Sequence, residues 1–330
     1  MKFKGNAVDN IIESTQAEIV MPFTKLISEI IDRPFISDKC CFGYCQNKPI
    51  ISHTIPENFL YKICNDLNKV LMFRPSIDLI MKQPTQSMSR VDKSKFSTFK
   101  GFCSTHDHDL FKLIDTFNGE MDQEKAALIH YKNICYGINH IKTQQLILEH
   151  VSKQNYRTNL EVGQNTITPG DNVFEGIKDG TWANRLEYCL KEHELRKKIL
   201  EEMIGTGDFS TVIFYEFING GIDNPIFCGR SSFLMHQDSK FFEKPGYAYM
   251  PWITYMSLRS TDKNNLVFCF LKNDERHANY FHKLINQNTF LKETLLSLIY
   301  AYSDSLAIKE SQYKDYSAEI DSIIREQRIY

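Results

Sequence analysis

Apolar residues recur every three or four positions in several long stretches, which is the spacing of helices that bury one face. The pattern predicts an N-terminal helix over Ile11–Ile31, bent or split at Pro22, because proline removes a helical hydrogen bond. It also predicts a long helix over Asp122–Gln154. A further helix is predicted from about Thr181 to Ile204, where acidic and basic residues four positions apart indicate an exposed face.

The second half of the chain is dominated by shorter apolar runs that are rich in aromatic and β-branched residues and are separated by Gly, Pro, Asn and Asp. Such runs predict strands. The runs are Thr211–Phe217, Pro225–Gly229, Ser231–Met235, Trp252–Leu258 and Asn264–Leu271. Together they predict an antiparallel sheet of four or five strands, with helices from Asp274 to the C-terminus covering one side.

These elements predict an α+β protein with an N-terminal helical module and a C-terminal antiparallel sheet covered by helices. A chain of 330 residues exceeds the size at which one hydrophobic core usually stops growing, so we expect two domains. We place the first at residues 1–154 and the second at residues 172–330. Residues 155–171 are polar, contain glycine and proline, and are predicted to be a linker or a long loop.

Composition narrows the classes of function. A formal net charge of −2 argues against a protein that binds nucleic acid through overall positive charge, but it leaves room for a local basic strip. No apolar run is long enough for a membrane span and the N-terminus lacks the apolar core of a signal peptide, so we expect a cytoplasmic protein with no membrane partner. In that compartment nine cysteines indicate buried thiols and a metal site, not a disulfide framework.

Two short ligand pairs predict the metal site. Cys40 and Cys45 form the first pair, and Cys103 and His106 form the second pair after a long insert. Thiolate and imidazole are ligands that suit Zn²⁺, and three cysteines with one histidine complete a tetrahedral set. Cys41 is an alternative to Cys40, because adjacent cysteines cannot easily reach one ion. We therefore predict a structural zinc ion.

Residues 82–100 carry an excess of positive charge, with serine, threonine and glutamine between the basic residues. One interpretation is a solvated loop without a binding role. The other is a basic strip beside the metal module that contacts the phosphates of DNA or RNA. The candidate nucleic-acid-binding residues are Lys82, Arg90, Lys93, Lys95 and Lys100.

The stretch from the cysteine pair, through Ser52-His53-Thr54-Ile55-Pro56, to the second ligand pair resembles the HNH endonucleases, which are built on a treble-clef or ββα-metal unit. The resemblance implies that His53 is the general base that activates water for attack on a phosphodiester. It also implies that Asp107 helps to hold a catalytic divalent ion such as Mg²⁺ or Mn²⁺. Ser52 stands where the family has an aspartate.

The same signature, with Phe-Cys-x-x-His-Asp-x-x-Leu-Phe after it, is similar to one in uncharacterised bacterial proteins, some of them associated with antiviral defence against phage. Both resemblances cover residues 36–120. They imply an HNH-like metal-dependent nuclease. The alternative is a non-enzymatic, zinc-stabilised sensor that binds a ligand or a protein partner. His53 could equally be a zinc ligand, a neighbour of the ligands or a packing residue.

Overall fold

A computed structural model describes most of the central part of the chain. The predicted helix over Ile11–Ile31, the basic residue Lys82 and most of the chain after Asp274 lie outside the described residues. The described residues are 37–73, 88–117, 120–153, 160–162, 165–167, 180–219, 227–234, 252–259, 264–274, 305–311 and 313–314.

Within these stretches the chain forms four helices and eleven strands. The helices are α1 (Glu57–Leu60), α2 (Ser104–Asp115), α3 (Gln123–Lys153) and α4 (Thr181–Thr206). The strands are β1 (Ile51–His53), β2 (Lys69–Phe73), β3 (Met88–Asp92), β4 (Thr98–Lys100), β5 (Leu160–Val162), β6 (Asn165–Ile167), β7 (Val212–Asn219), β8 (Phe227–Leu234), β9 (Trp252–Arg259), β10 (Asn264–Leu271) and β11 (Ser305–Ile308). Helices α3 and α4 confirm the two long helices predicted from periodicity. None of the described helices is both long enough and apolar enough to cross a membrane.

The chain divides into two compact units. As far as the structure describes it, the smaller unit contains residues 139–153 and 180–191 together with the antiparallel hairpin β5–β6. The larger unit contains every other described residue. Because most of residues 155–171 lie outside the described part, the domain boundaries drawn from the sequence stay a prediction.

The larger unit is built on a seven-stranded sheet. Its strand order is β3-β2-β11-β8-β9-β10-β7, and every neighbouring pair is antiparallel. A separate two-stranded sheet pairs β1 with β4. The prediction of a mixed α+β protein with antiparallel sheets is confirmed.

Several details of the predicted sheet were wrong. We expected four or five strands, but β2, β3 and β11 also join the sheet. Strand β11 lies in a stretch predicted to be helical, and its four residues are too few to show an alternating pattern. The two runs predicted on either side of Arg230 form one strand, β8, which pairs with β11 at its start and with β9 at its end. In both cases pairing with distant strands outweighs the local pattern.

Two elements are buried on all sides. In β10 every residue from Val267 to Leu271 is buried, as expected for a strand that is covered on both faces of its sheet. In α3 all ten residues from Ala126 to Cys135 are buried, including the polar residues among them. Helix α3 therefore lies in the interior, not on the surface, along this stretch.

His130 is one of the polar side chains of α3 that this burial includes. Its Nδ1 lies 2.8 Å from the hydroxyl of Thr254 on β9. Burial, together with the nearby charge of Arg196 and the neighbouring His193, both on α4, lowers the pKa of His130 to about 3. The folded protein therefore holds this imidazole in its neutral form.

A histidine with a lowered pKa makes folding stability depend on pH. The unfolded chain takes up a proton near its ordinary pKa of 6.5, but the folded chain does so only near 3, so stability falls as the pH drops between these values. We expect wild type to lose about 2 kcal/mol more free energy of unfolding between pH 7 and pH 5 than His130→Gln, which cannot be protonated. Urea titrations at both pH values measure this difference. An equal loss in the two proteins would contradict the assignment.

Candidate metal centre

The first part of the centre is a tight loop, residues 40–47, which we call the knuckle. It is closed by a hydrogen bond of 2.8 Å from the Cys40 amide to the Asn47 carbonyl, and the Cys45 amide donates to the Phe42 carbonyl at 3.1 Å. Gly43 has a φ of +50°, in the left-handed region that favours glycine. The turn therefore points Cys40 and Cys45 toward the same side.

The second part is the beginning of α2. Cys103 is the residue before the first turn, and His106 follows three positions later, so both side chains lie on one face of the helix. Two backbone hydrogen bonds join the two parts. The Cys41 amide donates to the Gly101 carbonyl at 2.6 Å, and the Ile50 amide donates to the Phe102 carbonyl at 2.7 Å. These contacts bring the knuckle against the N-terminus of α2.

The four predicted ligands come together. One donor atom from each of Cys40, Cys45, Cys103 and His106 lies within 4.8 Å of the other three. The Sγ atoms of Cys40 and Cys103 are each 3.4 Å from His106 Nδ1. Sulfur and nitrogen ligands of a tetrahedral zinc ion are about 3.6 Å apart, so these distances fit. The cluster could hold a metal ion such as zinc.

Cys41 is not part of this group of four donors. Its thiol interacts instead with the thiol of the buried Cys135 on α3. Of the two adjacent cysteines, Cys40 is therefore the one whose sulfur lies among the other ligand atoms.

Burial acts against ionisation of two thiols in the cluster. Burial raises the pKa of the Cys40 thiol to about 12. Burial also opposes ionisation of Cys103, but hydrogen bonds from the His106 amide and neighbouring groups bring its pKa below the ordinary value. Buried thiolates without a cation are costly, and a bound metal ion deprotonates its thiol ligands outright. The donor set thus fits a divalent metal ion.

Side chains of α3 and α4 also contact the knuckle. The ring of Phe42 lies 4.6 Å from that of His106 and 6.2 Å from that of Tyr131. Glu201 Oε1 accepts hydrogen bonds of 2.7 Å from the Gly43 amide, the Tyr131 hydroxyl and Lys197 Nζ. Burial raises the pKa of Tyr131, so its hydroxyl keeps the proton that it donates to Glu201. Glu201 therefore connects the knuckle to both long helices.

His53, the candidate general base, ends strand β1 and is half-buried. Its Nε2 lies 3.3 Å from the carbonyl oxygen of Lys93. His53 is not a member of the four-donor group, so within the described residues it is not placed as a ligand of that cluster. It also shares no hydrogen bond or ion pair with Asp107 in the described part of the chain.

Asp107 lies in the first turn of α2, beside His106. Its buried Oδ1 is 3.5 Å from Nζ of Lys132, a lysine whose side chain is only 4% exposed and lies over the Phe111 ring at 4.2 Å. Burial lowers the pKa of Lys132, while Asp107 acts in the opposite direction. Ser52, which stands where the HNH family has an aspartate, is buried. The ammonium group of Lys132 lies beside Asp107, and position 52 has serine in place of an aspartate. These two features do not fit a catalytic divalent ion at Asp107.

Two residues of the predicted basic strip are engaged within the protein. Arg90 on β3 forms an ion pair with Glu310. Lys93 Nζ lies 2.6 Å from Glu57 Oε1 and 3.3 Å from the centre of the Tyr61 ring. The hydrogen bond from Lys93 lowers the pKa of Glu57. Arg90 therefore links β3 to the residues after β11, and Lys93 binds the segment around α1.

The other two described residues of the strip, Lys95 and Lys100, are more accessible to solvent than Lys93. Lys95 is exposed, and Lys100 is half-buried on β4. In the β1–β4 pair His53 lies opposite Thr98, and Lys100 is two positions further along the same strand. Since side chains alternate between the faces of a strand, His53 and Lys100 share one face of this small sheet.

Sequence reasoning missed three residues at this centre: Tyr131, Lys132 and Glu201. All three lie in long helices far along the chain from the ligands. A signal for the first two was present, because Tyr131 and Lys132 belong to the polar run His130–Asn133 that interrupts the apolar middle of α3. Polar residues inside such a stretch require partners when the helix is buried.

The contacts of Glu201 predict that Glu201→Ala destabilises the knuckle. The change leaves the Gly43 amide and the Tyr131 hydroxyl without their acceptor, so we expect a loss of about 2–4 kcal/mol in the free energy of unfolding. Faster loss of the bound metal to a chelator should accompany it. Denaturant unfolding and chelator competition measure both effects.

Glu187→Ala is the matched control, because Glu187 is also a glutamate of α4 with a lysine four residues away, but its side chain is 59% exposed. An exposed pair of this kind contributes about 0.5 kcal/mol or less. If the two variants unfolded at the same denaturant concentration, Glu201 would not have the anchoring role assigned to it.

Comparisons with known proteins give no relative for this chain: no family model, curated protein or solved structure matches it.

Proposed function

We propose that the chain is a zinc-stabilised nuclease, similar to the HNH endonucleases, that acts on DNA or RNA in bacterial defence against phage. The order of elements supports the proposal. The knuckle is followed by β1, which ends at His53, then by its partner β4, and then by α2 with the second ligand pair. This is the order implied by a treble-clef, or ββα-metal, unit with a long insert between its two strands.

The zinc ion would be structural in this proposal. Three thiolates and one imidazole occupy all four positions of a tetrahedral ion, so no position remains for water or substrate. Bound Zn²⁺ would stabilise the junction of the knuckle and α2 by on the order of 10 kcal/mol, as in zinc-finger peptides.

The hydrogen bond of His53 is the observation that carries the proposal. A carbonyl oxygen can only accept, so the contact with the Lys93 carbonyl requires that the proton of the neutral imidazole be on Nε2. Nδ1 then keeps its lone pair and can take a proton from water. A neutral imidazole with a free ring nitrogen can act as a general base.

Lys100 supplies the second group that the reaction requires. Its position on the same face of the β1–β4 sheet as His53 places a cation near the candidate base. Residues at such diagonal positions are about 7–8 Å apart, which suits a phosphate held by Lys100 while His53 activates water beside it. Exposed Lys95, three residues before β4 begins, would add a further phosphate contact.

No step of this mechanism passes through a divalent ion at Asp107. We assign the carboxylate a positioning role: it neutralises buried Lys132 and so fixes the first turn of α2, where His106 lies. The Mg²⁺ or Mn²⁺ implied by the resemblance stays a prediction.

One observation favours a second candidate function, a non-enzymatic zinc-stabilised binding or sensor protein. Asp107 is paired with Lys132, and position 52 carries a buried serine instead of an aspartate, so neither of the two carboxylates that the family uses for its catalytic ion is free here. In that case the same zinc unit would be a scaffold, and His53 a packing residue that caps the turn at Lys93.

Substitution of His53 distinguishes the two functions. We expect His53→Ala to reduce cleavage of single-stranded DNA, duplex DNA or RNA by at least about a hundredfold, because a positioned base contributes on that order. The assay would include added Mg²⁺ and Mn²⁺ in parallel with neither. Zinc content and melting temperature should match those of wild type, because His53 is not among the four donors.

The control is Thr98→Ala, which truncates the residue opposite His53 without removing a titratable group. Its cleavage rate should stay close to that of wild type. Unchanged cleavage by His53→Ala, or no cleavage of any substrate by wild type, would contradict the nuclease. Loss of zinc in His53→Ala would place the histidine in the scaffold.

A further inference from the structure

The tip of the knuckle carries an aromatic side chain that is almost fully exposed and has no ring contact among the described residues. Tyr44, between the ligands Cys40 and Cys45, is 97% exposed. Its neighbour Phe42 turns inward onto His106 instead. An exposed tyrosine gains no hydrophobic free energy on folding, so its ring stays available to a partner.

The loop that presents Tyr44 is held rigidly. Backbone hydrogen bonds tie Cys40 to Asn47 and Cys45 to Phe42, and Glu201 binds the Gly43 amide. The Gln46 side chain also donates to the Tyr44 carbonyl at 2.9 Å. A ring presented by a fixed loop loses little conformational entropy when it binds, which favours a role as an anchor.

The charges beside Tyr44 indicate the chemistry of that partner. Exposed Lys39 and Lys48 lie at the two ends of the knuckle, and among the described residues neither forms an ion pair. Two acidic residues lie near them: Asp38, and Glu201, which is paired with Lys197. Beyond Lys48 the chain enters β1, where Ile51 is 59% exposed and lies on the same face as His53. The knuckle and the start of β1 thus present an aromatic ring, cations and apolar area within one short stretch of the chain.

We infer that Tyr44 is a stacking platform for an unpaired base, and that Lys39 and Lys48 contact the flanking phosphates of a single-stranded nucleic acid. Proteins that bind single strands combine such exposed rings with lysines along the backbone. A paired base keeps its faces inside the duplex, so a ring at the tip of a loop reaches it poorly. The inference deepens the proposed function and rests on it for the role of the bound strand, which is substrate.

Binding is tested without cleavage. The zinc-loaded protein, with no added Mg²⁺ or Mn²⁺, is titrated against fluorescein-labelled oligothymidylate and oligouridylate, and against a duplex of the same length. We expect both single strands to bind more tightly than the duplex. Tyr44→Ala should weaken single-strand binding about tenfold, and Tyr44→Phe, which keeps the ring, should bind like wild type.

Leu67→Ala is the matched control, since Leu67 is another large apolar side chain that is 72% exposed, and it should bind like wild type. The inference would be overturned if Tyr44→Ala bound as tightly as wild type, or if the duplex bound more tightly than the single strands. It would also be overturned if wild type bound no nucleic acid, and that result would favour a protein as the partner of Tyr44. Tyr44-dependent binding by a protein that cleaves nothing would refute the nuclease alone. Cleavage with an unchanged KM in Tyr44→Ala would refute the platform alone.

Discussion

The larger unit depends on the burial of the middle of α3. Three consecutive polar side chains of this buried stretch, His130, Tyr131 and Lys132, point in different directions because successive residues of a helix are about 100° apart. Each must find its partner on a different neighbouring element, since a polar group without one is costly in the interior. The partners are Thr254 of β9, Glu201 of α4 and Asp107 of α2.

This constraint joins the metal centre to the sheet. Glu201, which accepts from Tyr131, also holds the knuckle through the Gly43 amide. Asp107, which faces Lys132, is next in sequence to His106. The ligands are therefore positioned by the same helix that packs on β9, and the centre is a structural part of the larger unit. On this view the proposed zinc stabilises more than its own loop.

Local chemistry explains what could be predicted from the sequence. The four candidate ligands could be predicted because cysteine and histidine in two short pairs are typical of zinc sites, and α3 and α4 because long periodic stretches are typical of helices. Strand β11 and the continuity of β8 could not be found, because they depend on pairing with distant strands. The ion pair between Asp107 and Lys132 could not be predicted either, because the resemblance covers only residues 36–120 and Lys132 lies on α3.

The metal content of purified wild type, Cys103→Ser and Cys41→Ser proteins should be measured by elemental analysis. We expect one zinc ion per chain in wild type, its loss in Cys103→Ser, and its retention in Cys41→Ser, whose sulfur lies outside the four-donor group. Wild-type protein purified without chelator that contained no zinc, or a Cys103→Ser protein that kept it, would show that the four residues do not form a zinc site.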